Sequence, residues 1–414
     1  MMNNENYQCL FIISQSFSFD KFKKAVASSK SSSAVVIVFN DNINLLKQVK
    51  VILSDKYKKT EFVYAAGKLE DLAYSVRKKF IKLVAGAKDI DLGKNKKLNE
   101  YLVYENKLSM WWLNEIFHKR SYKFKTFTYL CQIEFTEQCL DNIKNINECF
   151  ILSNDRTFSS VMTEFMHQKS IRVKNILLSN LFRFTYLSFY LRLFKYWLVF
   201  IKWFIEYLLI TIICKLQINQ KILKNKISFI QFYTAFWPKT NFFRDDKFGK
   251  ENKIVHAFDE NEVISICTLF PDAIHTSIQF FDVFRILNEK KNKPYDDKKI
   301  FLLEKYISFS KIFNLFFYSF YLIFKLSKLS TNKNFKNYWV YKNVNIFPFI
   351  KTELNQSYRR TPRYLFYIER LKEFSRVFKP KAIIYNMFEA PIGKSTVYAI
   401  KSNTPFVKVI GSQD

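Results

Sequence analysis

Short, unbroken apolar runs alternate with amphipathic stretches along this chain. Leu10–Ile13, Val35–Phe39, Glu61–Ala65 and Cys149–Ser153 are too short for helices and rich in β-branched or aromatic residues. Such runs mark strands buried on both faces. Lys21–Ala27 reads as a helix, Leu69–Val84 as a helix with charges on its outer face, and Ser28–Ser33 as a polar loop. Ile227–Tyr233 and Val263–Cys267 are further strands. Lys381–Tyr385, a loop to Pro391, a helix Ile392–Ser402 and a strand Pro405–Ile410 complete a βαβ crossover. The pattern predicts an α/β fold with a Rossmann-like parallel sheet. Residues 1–170 form a Rossmann-like region, 171–226 an apolar helical insertion, and 227–414 a second α/β region.

The insertion is the most apolar part. Leu198–Cys214 approaches the length of about 20 residues that a bilayer requires, but Lys202 and Glu206 interrupt it. Arg192, Lys195, Lys202 and Glu206 fall in one stripe of that helix. Ile307–Lys328 repeats the arrangement, with Lys311, Asn314, Tyr318, Tyr321, Lys325 and Lys328 opposite Ile312, Leu315, Phe320 and Leu322. Two basic amphipathic helices suit in-plane docking on an anionic leaflet. Ordinary core packing is the alternative. Lys325–Ser357 reads as a polar linker, and Arg359, Arg360 and Arg363 as the opening of a helix Tyr364–Phe378.

Composition adds a constraint on partners. The 414 residues carry a formal charge of +30, with 46 Phe and 24 Tyr but only 6 Gly and 8 Pro. That bias follows an A- and T-rich genome, yet the field attracts polyanions whatever its origin. No zinc-finger, RNP or helix-turn-helix pattern occurs, so a membrane surface is the better expectation than nucleic acid. Six cysteines without a CxxC pair suit a reducing compartment. The N-terminus has no basic region before its short apolar run, and a cytoplasmic protein is expected.

Candidate chemistry is sparse. Leu108, Trp111, Trp112 and Glu115 are spaced to share one side of a helix. A Trp pair beside a carboxylate suits a sugar ring, but on spacing alone core packing is the favoured reading. Asp155 ends a strand and reads as the N-cap of a helix starting at Arg156. His256 and His275 have no metal-ligand spacing to another residue. P-loop, dinucleotide, GxSxG and HExxH motifs are missing from the sequence, which removes support for kinase, dehydrogenase and hydrolase readings.

Leu108-Ser-Met-Trp-Trp-Leu113 with Glu115, the strand Ser228–Tyr233, and the order Tyr385, Glu389, helix, Val409-Ile-Gly-Ser-Gln413 carry a resemblance. They resemble a family of bacterial surface-carbohydrate (lipopolysaccharide and capsule) biosynthesis proteins, glycosyltransferases of the two-Rossmann-domain GT-B type. Asp414 stands where that family has histidine. The resemblance implies the N-terminal half of a GT-B-like fold with the apolar helices inserted, C-terminally truncated before the donor-binding half. It implies Glu389 as catalytic base and Trp111, Trp112, Glu115, Tyr385 and Gln413 as substrate-binding residues, with no metal. No tightly bound cofactor is expected, and the donor would be a nucleotide sugar. Expected partners are a lipid-linked glycan acceptor, an anionic membrane surface at the cytoplasmic face, and a separate polypeptide supplying the donor domain. The chain alone is expected to be inactive. A non-catalytic membrane adaptor and a basic nucleic-acid-binding protein are the alternatives.

Overall fold

The computed structural model describes residues 5–6, 8–105, 108–114, 116, 125–174, 185–217, 229–233, 263–267, 300–386 and 391–412. The chain folds into two compact units. The first comprises Met1–Leu98, Arg120–Phe184 and Ser330–Glu353, and the second Asn99–Lys119, Thr185–Leu329 and Leu354–Asp414.

The first unit is built on five parallel strands, β1 (Cys9–Ile13), β2 (Ser33–Val38), β3 (Lys59–Tyr64), β4 (Glu148–Leu152) and β5 (Arg172–Val173). Their order across the sheet is β3-β2-β1-β4-β5. β1 is buried throughout, because helices cover both faces of such a sheet. Phe11 stacks on Phe150 of the neighbouring strand with ring centroids 5.2 Å apart, and Phe22 of α1 (Phe19–Ser28) meets its edge. Helices α2 (Ile43–Lys56), α3 (Lys68–Gly86), α4 (Lys125–Leu140) and α5 (Arg156–Gln168) complete the unit's larger elements. Gly86 at the end of α3 is required by close approach: a Cβ there would lie 2.7 Å from the Tyr338 hydroxyl, which donates to the Leu83 carbonyl.

The second unit repeats the topology. Strands β6 (Phe229–Tyr233), β7 (Val263–Cys267), β8 (Ile300–Leu302), β9 (Ala382–Asn386) and β10 (Lys408–Ser412) are parallel in the order β8-β7-β6-β9-β10. In both sheets the first strand is central, the next two lie on one side, and the last two lie on the other. That is the order of a doubly wound sheet. Long helices α6 (Thr185–Gln217), α7 (Phe309–Leu329) and α8 (Phe347–Phe378) accompany the second sheet, with α9 (Pro391–Asn403) as the predicted crossover between β9 and β10. Phe200, Trp203, Phe204 and Tyr207 of α6 surround Phe366 of α8.

Two sequence expectations are corrected. Lys325–Ser357 is not a linker: it holds the end of α7, a short helix Lys333–Tyr338, a hairpin and the start of α8. Phe335, Trp339, Val344 and Ile346 are fully buried there, so four apolar anchors outweigh the polar average. Lys342 and Asn343 turn the hairpin with φ of 51° and 62°, as a two-residue turn of the favoured hand demands. Arg359, Arg360 and Arg363 do not open a helix either. They lie inside α8, which continues through Pro362. Burial of Leu354, Ser357, Tyr358 and Thr361 holds the turns before the proline in place. The predicted strand Pro405–Ile410 is realised as Lys408–Ser412.

Candidate functional site

In the first sheet the chain leaves β1 towards β2 on one side, whereas β4 pairs with β1 on the other. Loops after these two strands must diverge, and a crevice opens beyond their carboxyl ends. It encloses about 550 Å³ and is lined by Ser14–Ser16, Ser153–Arg156 and one face of α4. The α4 residues are Lys125, Thr128, Tyr129 and Gln132, whose spacing of three, one and three keeps them on one side of a helix.

Hydrogen bonds fix the two loops to each other. Ser14 N–H donates to the Leu152 carbonyl at 3.0 Å, and Asn154 N–H to the Ser16 carbonyl at 2.8 Å. Asp155 caps α5 as its position predicts, its Oδ1 accepting from the N–H groups of Thr157 and Phe158 at 2.9 and 3.2 Å. Its other oxygen accepts from the Tyr129 hydroxyl at 2.6 Å and lies 3.4 Å from Lys125 Nζ. Burial pushes the Asp155 carboxyl up, but Tyr129, the Phe158 and Thr157 N–H groups and Lys125 together hold it below the usual range. Asp155 therefore does more than the cap assigned from sequence: it ties α4 to the mouth of α5.

Gln132 sits deeper. Its side chain is buried, borders the crevice, and its Oε1 has no hydrogen-bond partner among the described residues. A buried amide oxygen of this kind favours a ligand that brings a donor. Lys125 and Arg156 add positive charge at the rim. The crevice suits a polyhydroxylated or amide-bearing ligand with an acidic group.

Glu353, at the end of the first unit, anchors α4 from outside the crevice. Its Oε1 accepts from the Thr126 N–H at 3.2 Å, one of the helix-terminal groups that lack a partner within the helix. Burial pushes this carboxyl up to about 8, against the lowering effect of Thr126. An unfolded carboxyl releases its proton near pH 4.3, roughly. The folded form therefore binds more protons between the two values, and stability falls as pH rises across that window. Glu353→Gln keeps the acceptor and removes the titration. Its melting temperature is expected to gain on the parent's between pH of about 5 and about 9. Melting curves with identical pH slopes for both proteins would refute this.

In the second unit the structure brings together two of the segments singled out in the sequence. Leu108–Ser109 is a short strand and Met110–Leu113 a 3-10 turn, not the predicted helix. The Asn114 side chain explains the stop: its amide donates to the carbonyls of Met110 and Trp111 at 3.3 and 3.0 Å, closing the turn on itself. Trp111 and Trp112 consequently part company. Trp111 is fully buried, whereas Trp112 is half-buried with Lys394 Nζ 5.5 Å from its ring centre. Lys394 belongs to the first turns of α9, directly after β9, so Trp112 stands by a strand end of the second switch point. Tyr385 lies in β9, paired with Phe232 and Gly411. Glu115, Glu389, Gln413, His256 and His275 lie outside the described residues. Among the described residues no group of three His, Cys, Asp or Glu side chains is placed to hold a metal ion.

Sequence reasoning missed Lys125, Tyr129 and Gln132. Their common helical face was a readable signal, but nothing local aimed that face at Asp155. Compared with known protein families, characterised proteins and solved structures, the chain matches none of them.

Proposed function

We propose that this chain is a glycosyltransferase-like protein of bacterial surface-polysaccharide biosynthesis, working on a lipid-linked glycan at the cytoplasmic face of a membrane. The observation that carries the reading is the repeated strand order, with a switch point in each unit. Group transfer needs a donor and an acceptor, and two switch points supply two places for ligands. The first crevice offers hydroxyl, amide and cationic groups suited to a glycan or a nucleotide sugar. The second holds Trp112, partly buried with Lys394 over its ring, an aromatic side chain of a kind that stacks on sugar rings. Glu389 is the proposed base, with Trp112 and Tyr385 on the substrate side.

The second reading is a non-catalytic adaptor, with which the first crevice is compatible. The Asp155 carboxyl is held below the usual range and fully engaged, which makes it a poor base for deprotonating a hydroxyl. The crevice described here is a binding site before it is a catalytic one.

Calorimetry of the intact chain against a panel of nucleotide sugars and isolated glycan lipids tests both readings. The expected result is binding that weakens about tenfold, or about 1.4 kcal/mol, in Lys125→Ala/Arg156→Ala. Sugar transfer to the lipid would place the chain among the enzymes, and binding without transfer would select the adaptor. If neither ligand class binds, both readings fall.

A further inference from the structure

Helices α6 and α7 of the second unit pack on each other through aromatic rings. Trp197 meets Phe320, Phe200 meets Phe316, and Phe204 meets Phe313, with centroids 5.7, 5.9 and 6.4 Å apart. Contacts that climb one helix while descending the other mean the pair is antiparallel. Helical geometry then fixes where the remaining side chains lie. Leu191, Leu198, Ile205 and Leu209 fall within a narrow stripe of α6, rotated by about 130° from the face that meets α7. Phe313, Phe317 and Phe324 form a stripe of α7 rotated by about 45° from its own contact face, with Phe313 at the seam between the two helices. In an antiparallel pair these rotations bring both stripes to the same side.

All seven residues are exposed, Leu198 by 49% and Phe317 by 68%. Single exposed apolar residues need no explanation, but a two-helix surface of leucine and phenylalanine does. The opposite faces are occupied inside the unit, where Phe200 and Phe204 pack on Phe366. The apolar surface is also framed by charge. Exposed Lys195 and Lys202 lie along its α6 edge, Lys202 with Glu206 Oε1 3.9 Å away, and exposed Lys328 lies along its α7 edge, while Lys325 turns inward and donates to the Tyr101 carbonyl. An apolar strip between two cationic borders matches the layering of an anionic bilayer surface, with acyl chains below and phosphates at the level of the lysines.

We propose that this α6–α7 face docks in the plane of an anionic membrane. Both helices are long and apolar enough to cross a bilayer by length and composition. Crossing would take the inward face into hydrocarbon as well, and that face rests on α8 beside the buried Arg370–Glu304 ion pair. In-plane docking buries only the outward stripe. The inference rests on the membrane location in the proposed function and names the surface that provides it, while vesicle binding, read without any sugar, can fail or succeed independently of glycosyl transfer.

The test is co-sedimentation of the intact chain with phosphatidylcholine vesicles, with and without phosphatidylglycerol. Binding is expected to the anionic vesicles, and to fall steeply with salt. Leu198→Gln and Phe317→Ser each remove one exposed apolar anchor and are expected to weaken binding about tenfold with unchanged melting curves. Lys195→Glu/Lys202→Glu should weaken it on anionic vesicles only. Equal binding by the apolar variants and the parent overturns the proposal. So does an unbound chain that is a dimer broken by Leu198→Gln, which would make a second copy the occupant. Retention in membranes after alkaline carbonate extraction overturns in-plane docking in favour of spanning.

Discussion

Arg370→Ala is expected to destabilise the second unit by about 3–5 kcal/mol, enough to unfold a marginal protein at room temperature. Arg370 Nη1 lies 2.6 Å from Glu304 Oε1, and both side chains are wholly buried. The guanidinium also donates from Nε to the Phe366 carbonyl at 3.2 Å and sits 5.2 Å from the Tyr207 ring centre. Removing the arginine takes the countercharge from a carboxylate that stays buried, and that desolvation cost dominates the loss. The pair itself adds little relative to well-packed apolar residues of similar volume. Arg370→Met/Glu304→Leu should therefore recover most of the stability that the single substitution loses. Urea unfolding of the three proteins measures this, and a single variant within about 1 kcal/mol of the parent would show that the pair is solvated in solution.

Trp111→Ala and Trp112→Ala are expected to separate by several kcal/mol, although the residues are adjacent. Trp111 is fully buried, and deleting a buried aromatic side chain leaves a cavity that costs about 3–5 kcal/mol. Trp112 is half-buried with Lys394 above its ring, a contact whose loss costs about 0.5–1 kcal/mol. The functional ranking should be the reverse. Trp112→Ala should fold normally and lose affinity for glycan, whereas any loss in Trp111→Ala should track its unfolded fraction. Thermal melting beside glycan titration distinguishes the two. A Trp112 variant with native affinity would return both tryptophans to the core.

The fold class could be read from the chain because strand identity is encoded locally. β1, β2, β4 and β9 contain the unbroken apolar runs Cys9–Ile13, Ala34–Val38, Cys149–Leu152 and Ala382–Tyr385, and β6 and β7 each carry a single polar interruption, at Gln231 and Ser265; apolar runs this short have few options besides a strand inside a covered sheet. The Asp155 cap was equally local, since its acceptors and donors lie within three residues. The Trp-Trp segment misled because helical spacing is only permissive. Asn114 competes for the carbonyls that a longer helix would have used, and the turn closes before a second face can form.

What the residues determined alone was therefore the alternation of strand and helix, the long apolar character of α6 and α7, and the strong positive charge. The tertiary structure decided which polar groups meet. Tyr129 reaches Asp155 across 26 residues, and Thr126 reaches Glu353 across 227. It also decided that a second sheet repeats the strand order of the first. Burial periodicity is a property of each segment. A hydrogen-bond partner or a shared surface exists only once chain closure has brought distant segments together.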